Sequence, residues 1–201
     1  LNDAQLSRLV EMIEASFDLG ADAERSIECD PRRGTASQLD LLRALGFKRI
    51  SFGVQDLDAQ VQRAIGRVQS EELIRDVHAM ARDAGFDSIS LELIYGLPHQ
   101  DVAVFDRTLD VITALQPDRI VCHGYSRSTL TKVHQHGIDV HHLPSEETRQ
   151  AIFQHAVDRL TDAGYQWIGL DSFALPTDDW TIAQQQGRLH RNLIGYTDTP
   201  G

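Results

Sequence analysis

Cysteine is scarce. Cys29 and Cys122 are the only two in 201 residues, too few and too far apart for a disulfide framework or a close-spaced metal motif. Basic residues are also in deficit, 19 against 30 acidic, for a net charge of -11. That field repels nucleic-acid backbones and anionic membranes, and no basic cluster interrupts it, so nucleic acid is excluded as an expected partner. No apolar run approaches the ~18 residues of a membrane span, and no charged-then-apolar leader opens the chain. These absences make the cytoplasm the expected compartment. The chain opens at Leu1 without a methionine, which suggests a trimmed product. What remains is an ordinary composition, 41% apolar and 24% charged, sufficient for one core and too short for two large domains.

The most informative feature is a repeated phrase. Leu45-Gly46-Phe47-Lys48-Arg49-Ile50 recurs as Ala84-Gly85-Phe86-Asp87-Ser88-Ile89 and as Ala163-Gly164-Tyr165-Gln166-Trp167-Ile168. Each copy closes an amphipathic helix with a glycine suited to the left-handed C-cap, then enters a β-rich run. A degenerate copy, Leu115-Gln116-Pro117-Asp118-Arg119-Ile120, is expected to use proline as its stop. Apolar residues of helical period precede these phrases. They are Leu6, Leu9, Val10, Ile13 and Phe17 in the first helix, with Asn2 or Asp3 as cap, then Leu39, Leu42 and Leu45. Leu73, Ile74, Val77 and Ala81 follow, then Phe105, Leu109, Ile112 and Leu115, and finally Ile152, Ala156, Val157 and Leu160. Strands are expected at residues 24–29, 49–54, 88–94, 119–123 and 166–170.

Alternation of helix and strand calls for a parallel sheet with helical crossovers. The repeat favours an α/β fold of partial (β/α) barrel type over a Rossmann sheet, since no G-x-G-x-x-G follows any strand. A chain beginning on a helix implies that the barrel's first strand is missing. Residues 1–171 are expected to form this core. Residues 172–201 are expected to be an extension or an interrupted sixth unit, and the polar, histidine-rich residues 126–144 an insertion.

In a parallel barrel the chemistry gathers at the C-terminal strand ends. There the sequence delivers Glu28 and Asp30, Gln55 and Asp56, Glu92, His123 and Tyr125, and Asp171. Asp30 and Asp56 suit helix caps. Glu28, Gln55 and Glu92 follow the strands' alternation and are expected to point into the barrel. Tyr95-Gly96-Leu97-Pro98 reads equally as a close approach to a ligand or as a plain turn. Nine histidines include His134, His136, His141 and His142, which a metal hydrolase would need to converge with a carboxylate; a solvated loop is the simpler reading. Residues 189–196 have the character of a segment folded over a site.

The phrases Ser26-Ile27-Glu28-Cys29-Asp30-Pro31, Ser51-Phe52-Gly53-Val54-Gln55-Asp56, Leu93-Ile94-Tyr95-Gly96-Leu97-Pro98, Gln116-Pro117-Asp118-Arg119 and Leu189-His190-Arg191-Asn192 resemble one family. It is the oxygen-independent coproporphyrinogen III oxidases, radical S-adenosylmethionine enzymes of haem biosynthesis, and the likeness covers essentially the whole chain. The resemblance implies a barrel of the radical S-adenosylmethionine type, with two S-adenosylmethionines and a 4Fe-4S cluster as cofactors. A tetrapyrrole is the implied substrate and an electron donor the implied partner. It places the three cluster cysteines and the first strand ahead of this segment, and a further domain after it. By the same resemblance Glu28 binds the cluster-side S-adenosylmethionine, Gln55, Arg67 and Glu92 contact the second, and Ser126 falls where the backbone meets the first. Glu92 stands where aspartate is usual, Ser172 replaces a histidine and Ile194 a glutamine. The run Ser126-Arg127-Ser128-Thr129 replaces a phrase with leucine and proline. The implied reaction is oxidative decarboxylation of propionates to vinyl groups. A haem-binding or haem-delivery protein on the same fold is the alternative.

Overall fold

Strands of the central sheet show a two-residue alternation that decides the architecture. Ile50, Phe52 and Val54 on one strand and Ile89, Leu91 and Leu93 on the next are almost wholly buried in the core. Arg49 and Ser51, and Ser88, Ser90 and Glu92, fall between them and line the opposite face. One face therefore demands helices and the other stays polar.

The computed structural model describes residues 1–20, 23–126, 137–192 and 195–198. Helix α1 (Asp3–Ser16) leads to β1 (Ser26–Cys29), α2 (Ala36–Ala44), β2 (Arg49–Gln55), the short α3 (Ala59–Ala64), α4 (Glu71–Asp83) and β3 (Ser88–Tyr95). Then come α5 (Val102–Leu115), β4 (Arg119–Gly124), α6 (Glu146–Asp162), β5 (Gln166–Gly169), β6 (Ser172–Ala174), α7 (Asp179–Gln185), β7 (His190–Arg191) and β8 (Tyr196–Thr197). The main sheet runs β1-β2-β3-β4-β6-β5, with β1 through β4 parallel. It is the expected partial barrel. No strand pairs with the outer edge of β1 among the described residues.

The capping chemistry is local and legible. Asn2 and Gln5 form a reciprocal capping box on α1. Gly46, Gly85 and Gly164 take φ of 87°, 81° and 92° after their helices. The degenerate copy behaves differently from the expectation: Gln116 itself adopts the left-handed conformation at φ 50° and caps α5, and Pro117 only follows it.

Three other expectations change. The apolar stripe of α1 is only half covered, with Leu6 and Val10 buried but Leu9, Ile13 and Phe17 exposed. The chain also reverses after β5, where Gly169 and Leu170 take positive φ, so that β6 lies antiparallel between β4 and β5. Residue 171 lies in the turn of this hairpin, and Phe173 and Ala174 beyond it are fully buried sheet residues. Finally, Asp56 is no helix cap. Asp58 caps α3, and Asp56 is buried.

Asp56 instead ties three segments together. Its carboxylate accepts from the Asp58 amide at 2.6 Å, the Gln100 side chain at 2.6 Å and the Thr108 hydroxyl at 3.2 Å. Gln62 donates to the carbonyls of Asp56 and Gln69, and Gln69 donates back to those of Gly53 and Val54. Burial pushes the Asp56 carboxyl up to about 6, against the opposing pull of these hydrogen bonds. The unfolded residue releases its proton near 4, so stability is full below that pH and falls as pH rises through about 6. The loss attributable to Asp56 is about 2–3 kcal/mol. Asp56→Asn should remove this slope: in urea denaturation the advantage of wild type over variant should shrink by that amount between pH 4 and pH 7. Parallel pH profiles for the two proteins would show that Asp56 is not the titrating group.

Candidate functional site

The polar face of the sheet encloses a cavity of about 520 Å³. Glu28 reaches it from β1 and Glu92 from β3, while Ser51, Ser88 and Ser90 keep its floor low and polar. Register explains the grouping, since Glu28 pairs with Ser51, Ser51 with Ser90, and Gly53 with Glu92. Glu28 is exposed and Glu92 half-buried. Burial raises the pKa of Glu92, the Ser51 hydroxyl hydrogen bond pulls it down, and the nearby Glu28 charge raises it again.

Gln55 and Arg67 join this group through Gly53. The ladder between β2 and β3 slips between Gly53 and Gln55, and Gln55 takes φ 69°. A bulge of this kind re-aims a side chain, and here it folds the Gln55 amide back over Gly53, where any Cβ would collide with it. Arg67 donates to the Gly53 carbonyl at 2.8 Å and lies 3.7 Å from Asp30. Its Nε is buried without a partner. Four of the five sequence-derived site residues, Glu28, Gln55, Arg67 and Glu92, therefore cluster at the upper ends of β1, β2 and β3. Ser126 is exposed and lies outside the cavity lining. Arg127, Ser128 and Thr129 lie outside the described residues.

The Tyr95-Gly96-Leu97-Pro98 turn is clamped by protein. The Tyr125 amide donates to the Tyr95 carbonyl at 2.8 Å, and Arg149 donates to the Tyr125 carbonyl at 2.9 Å. A Cβ on Gly96, at φ 84°, would sit 2.7 Å from the Arg149 Nε. Beside it, His123 at the end of β4 contacts Asp171 at 3.0 Å.

The lower end of the cavity was not foreseen from sequence. Arg119 makes two contacts to Asp178, at 3.0 and 2.9 Å, with both side chains almost fully buried. Its guanidinium stacks 3.7 Å from the Trp180 ring centroid. The available signal was phase, because Arg119 precedes the inward-facing Val121 by two residues. Asn192, Gly195 and Tyr196, from the segment expected to fold over a site, line the cavity beside them. Ile194, one of the family departures, lies outside the described residues.

His134 and His136 also lie outside the described residues. His141 and His142 are exposed, and no group of three His, Cys, Asp or Glu could hold a metal among the described residues. The two cysteines do not compensate. Burial pushes the Cys122 thiol far up, and burial followed by the Glu28 charge raises Cys29.

Residues 3–112 match the radical SAM superfamily, and the chain belongs to that family. Its members work with S-adenosylmethionine and a 4Fe-4S cluster. More particularly, the chain is 46% identical over 197 residues to the oxygen-independent coproporphyrinogen III oxidase of Salmonella typhimurium, covering 98% of this chain and 43% of that protein. The enzyme of that name from Synechocystis is 42% identical over 98% of this chain and 42% of its own length. The solved structure of coproporphyrinogen III oxidase from Escherichia coli superposes with a TM-score of 0.94 at 44% identity, covering 99% of this chain and 46% of that one. The chain spans less than half the length of these relatives.

The two cofactors fare differently against these residues. Two carboxylates, an amide and an arginine with a free buried N–H suit a ligand that combines an ammonium, a carboxylate and ribose hydroxyls. A cluster finds no thiolate set here. Reconstituted anaerobically with iron and sulfide, the 201-residue chain is expected to show no iron–sulfur charge-transfer absorbance; stoichiometric iron with a stable band would contradict that. The strain at Gln55 is testable separately. Gln55→Gly should raise stability by ~1 kcal/mol in thermal denaturation, since the left-handed conformation costs non-glycine residues about that much. A loss would mean that the contacts over Gly53 outweigh the strain.

Proposed function

We propose that this chain is the S-adenosylmethionine-binding core of an oxygen-independent coproporphyrinogen III oxidase, converting propionates of coproporphyrinogen III to vinyl groups. Its support is the likeness to such oxidases over 98% of the chain. In this reading Glu28 accepts from the ammonium or the ribose hydroxyls of one S-adenosylmethionine. Gln55, Arg67 and Glu92 hold a second, and the backbone at Ser126 meets the first. The Glu92 carboxylate, at the position of the family's aspartate, takes a hydrogen bond from the Ser51 hydroxyl. The cluster is held by residues outside these 201, and an electron donor serves it. When bound, cluster and S-adenosylmethionine supply the one-electron chemistry. This chain's residues orient the cofactor and keep water from the reacting carbon. A cytoplasmic location accords with the charge of -11 and with the absence, among the described residues, of a helix long and apolar enough to cross a membrane.

Glu28 and Asp30 form a matched pair for testing this. Asp30 caps the turn at Pro31–Arg33 and pairs with Arg32, whose hydrogen bond lowers its pKa to about 2. In the protein that joins this chain to its cluster-binding segment, Glu28→Gln should weaken S-adenosylmethionine binding ~10- to 150-fold, the loss of one charge-assisted hydrogen bond. 5'-Deoxyadenosine formation should fall with it and the fold remain. Asp30→Asn should lower stability by ~1 kcal/mol or less and leave cleavage largely intact. Equal, mild effects from both variants would make Glu28 structural and the site misplaced.

A further inference from the structure

At the upper rim, β4 and the β5–β6 turn hold a side-chain pair with no part in the cofactor contacts above. His123 stands two residues beyond Val121, which lines the cavity, and opposite Ile94 of β3, so strand alternation puts it on the cavity side. Half of its side chain is exposed. Its Nδ1 lies 3.0 Å from Oδ2 of Asp171, and Asp171 is itself anchored. Its carbonyl accepts from the Cys122 amide at 2.8 Å, and the Ser172 hydroxyl lies 3.3 Å from its other carboxylate oxygen. With Nδ1–H committed to Asp171, Nε2 is the nitrogen left for a ligand.

The neighbouring charges define what that ligand can be. Glu92 from β3 and Glu28 from β1 both act on the imidazole, and the Tyr95 hydroxyl packs beneath Gly124 beside it. Four arginines of this face already hold protein partners. Arg67 is held by the Gly53 carbonyl and Asp30, Arg149 by the Tyr125 carbonyl and Glu146, Arg119 by Asp178, and Arg49 by Glu24 and Asp179. A substrate carrying several carboxylates would be repelled by Glu28 and Glu92 unless a cation stood at the rim.

We propose that His123, positioned by Asp171, is a specificity contact that donates from Nε2 to a carboxylate of the substrate, a propionate of the tetrapyrrole in the functional reading on which this rests. The hydrogen bond to Asp171, followed by the charges of Asp171, Glu92 and Glu28, raises the imidazole pKa above its ordinary value despite partial burial. The imidazolium therefore persists further into the neutral range and is lost as pH rises through the folded-state pKa. Asp171 acts through His123 and is a positioning residue.

The test uses the protein carrying both this chain and its cluster-binding segment, with coproporphyrin III and its tetramethyl ester as fluorescent probes. Wild type should bind the free acid more tightly at pH 6.5 than at pH 9. His123→Gln should lose ~10- to 150-fold in affinity at pH 6.5, together with the pH dependence. His123→Arg should restore binding and hold it at pH 9, and Asp171→Asn should move the pH midpoint downward. The ester should bind all four proteins alike, and unchanged S-adenosylmethionine affinity should show that each variant is folded. Wild-type affinity for the free acid in His123→Gln would overturn the proposal alone. Failure of wild type to bind either porphyrin would overturn the tetrapyrrole reading and this proposal with it.

Discussion

Everything in this chain depends on keeping one face of a parallel sheet apolar and the other polar. Phe52, Leu91 and Leu93 are buried in a single core with helix residues such as Leu39, Ile74 and Phe105. Burying each such side chain contributes about 1.5–3 kcal/mol. Most parallel sheets are covered on both faces and read as continuous hydrophobic runs. Here Ser51, Ser88, Ser90 and Glu92 interrupt the run at every second residue, so the second face cannot be closed by another apolar layer. The cavity follows from that pattern before any particular contact is considered.

The second requirement falls at the end of β2. A bulge and a left-handed Gln55 turn the chain out of the sheet, and the buried Asp56, Gln62, Gln69 and Gln100 network fixes where it goes. Gln55 and Arg67 are brought to the same glycine by this rigid segment, so strain and buried polarity lie directly beside the candidate site. Pairing Gly53 with Glu92 connects that segment to β3. The candidate site's geometry and the fold's stability are consequently carried by overlapping residues at this strand end.

Much of this was legible in the sequence because its signals are local. The glycine stops, the Asn2 cap and the alternation around Glu92 each depend on a few neighbouring residues. Resemblance then gathered Glu28, Gln55, Arg67 and Glu92, whose convergence depends on register and a bulge that no local pattern reveals. Other features were hidden for physical reasons. Helix α3 has six residues, too few to display a helical period. Asp56 resembles a cap in sequence, and only the long-range partners Gln100 and Thr108 distinguish it. The insertion of β6 between β4 and β5 depends on a two-residue reversal inside what reads as one strand–helix unit. Arg119 and Asp178 are 59 positions apart, and neither has a sequence neighbour that announces the other.

The central claim is that the polar face beside Gly53 is where S-adenosylmethionine binds. An anaerobic co-crystal structure of the cluster-loaded protein with S-adenosylmethionine tests it most directly. The ligand is expected at the upper ends of β1 to β3, with its ammonium or ribose hydroxyls in hydrogen-bond reach of Glu28 and a second molecule against Gln55, Arg67 and Glu92. Ligand density at the Arg119–Trp180 end of the cavity, or away from the sheet altogether with Glu28 and Glu92 facing solvent, would contradict the claim.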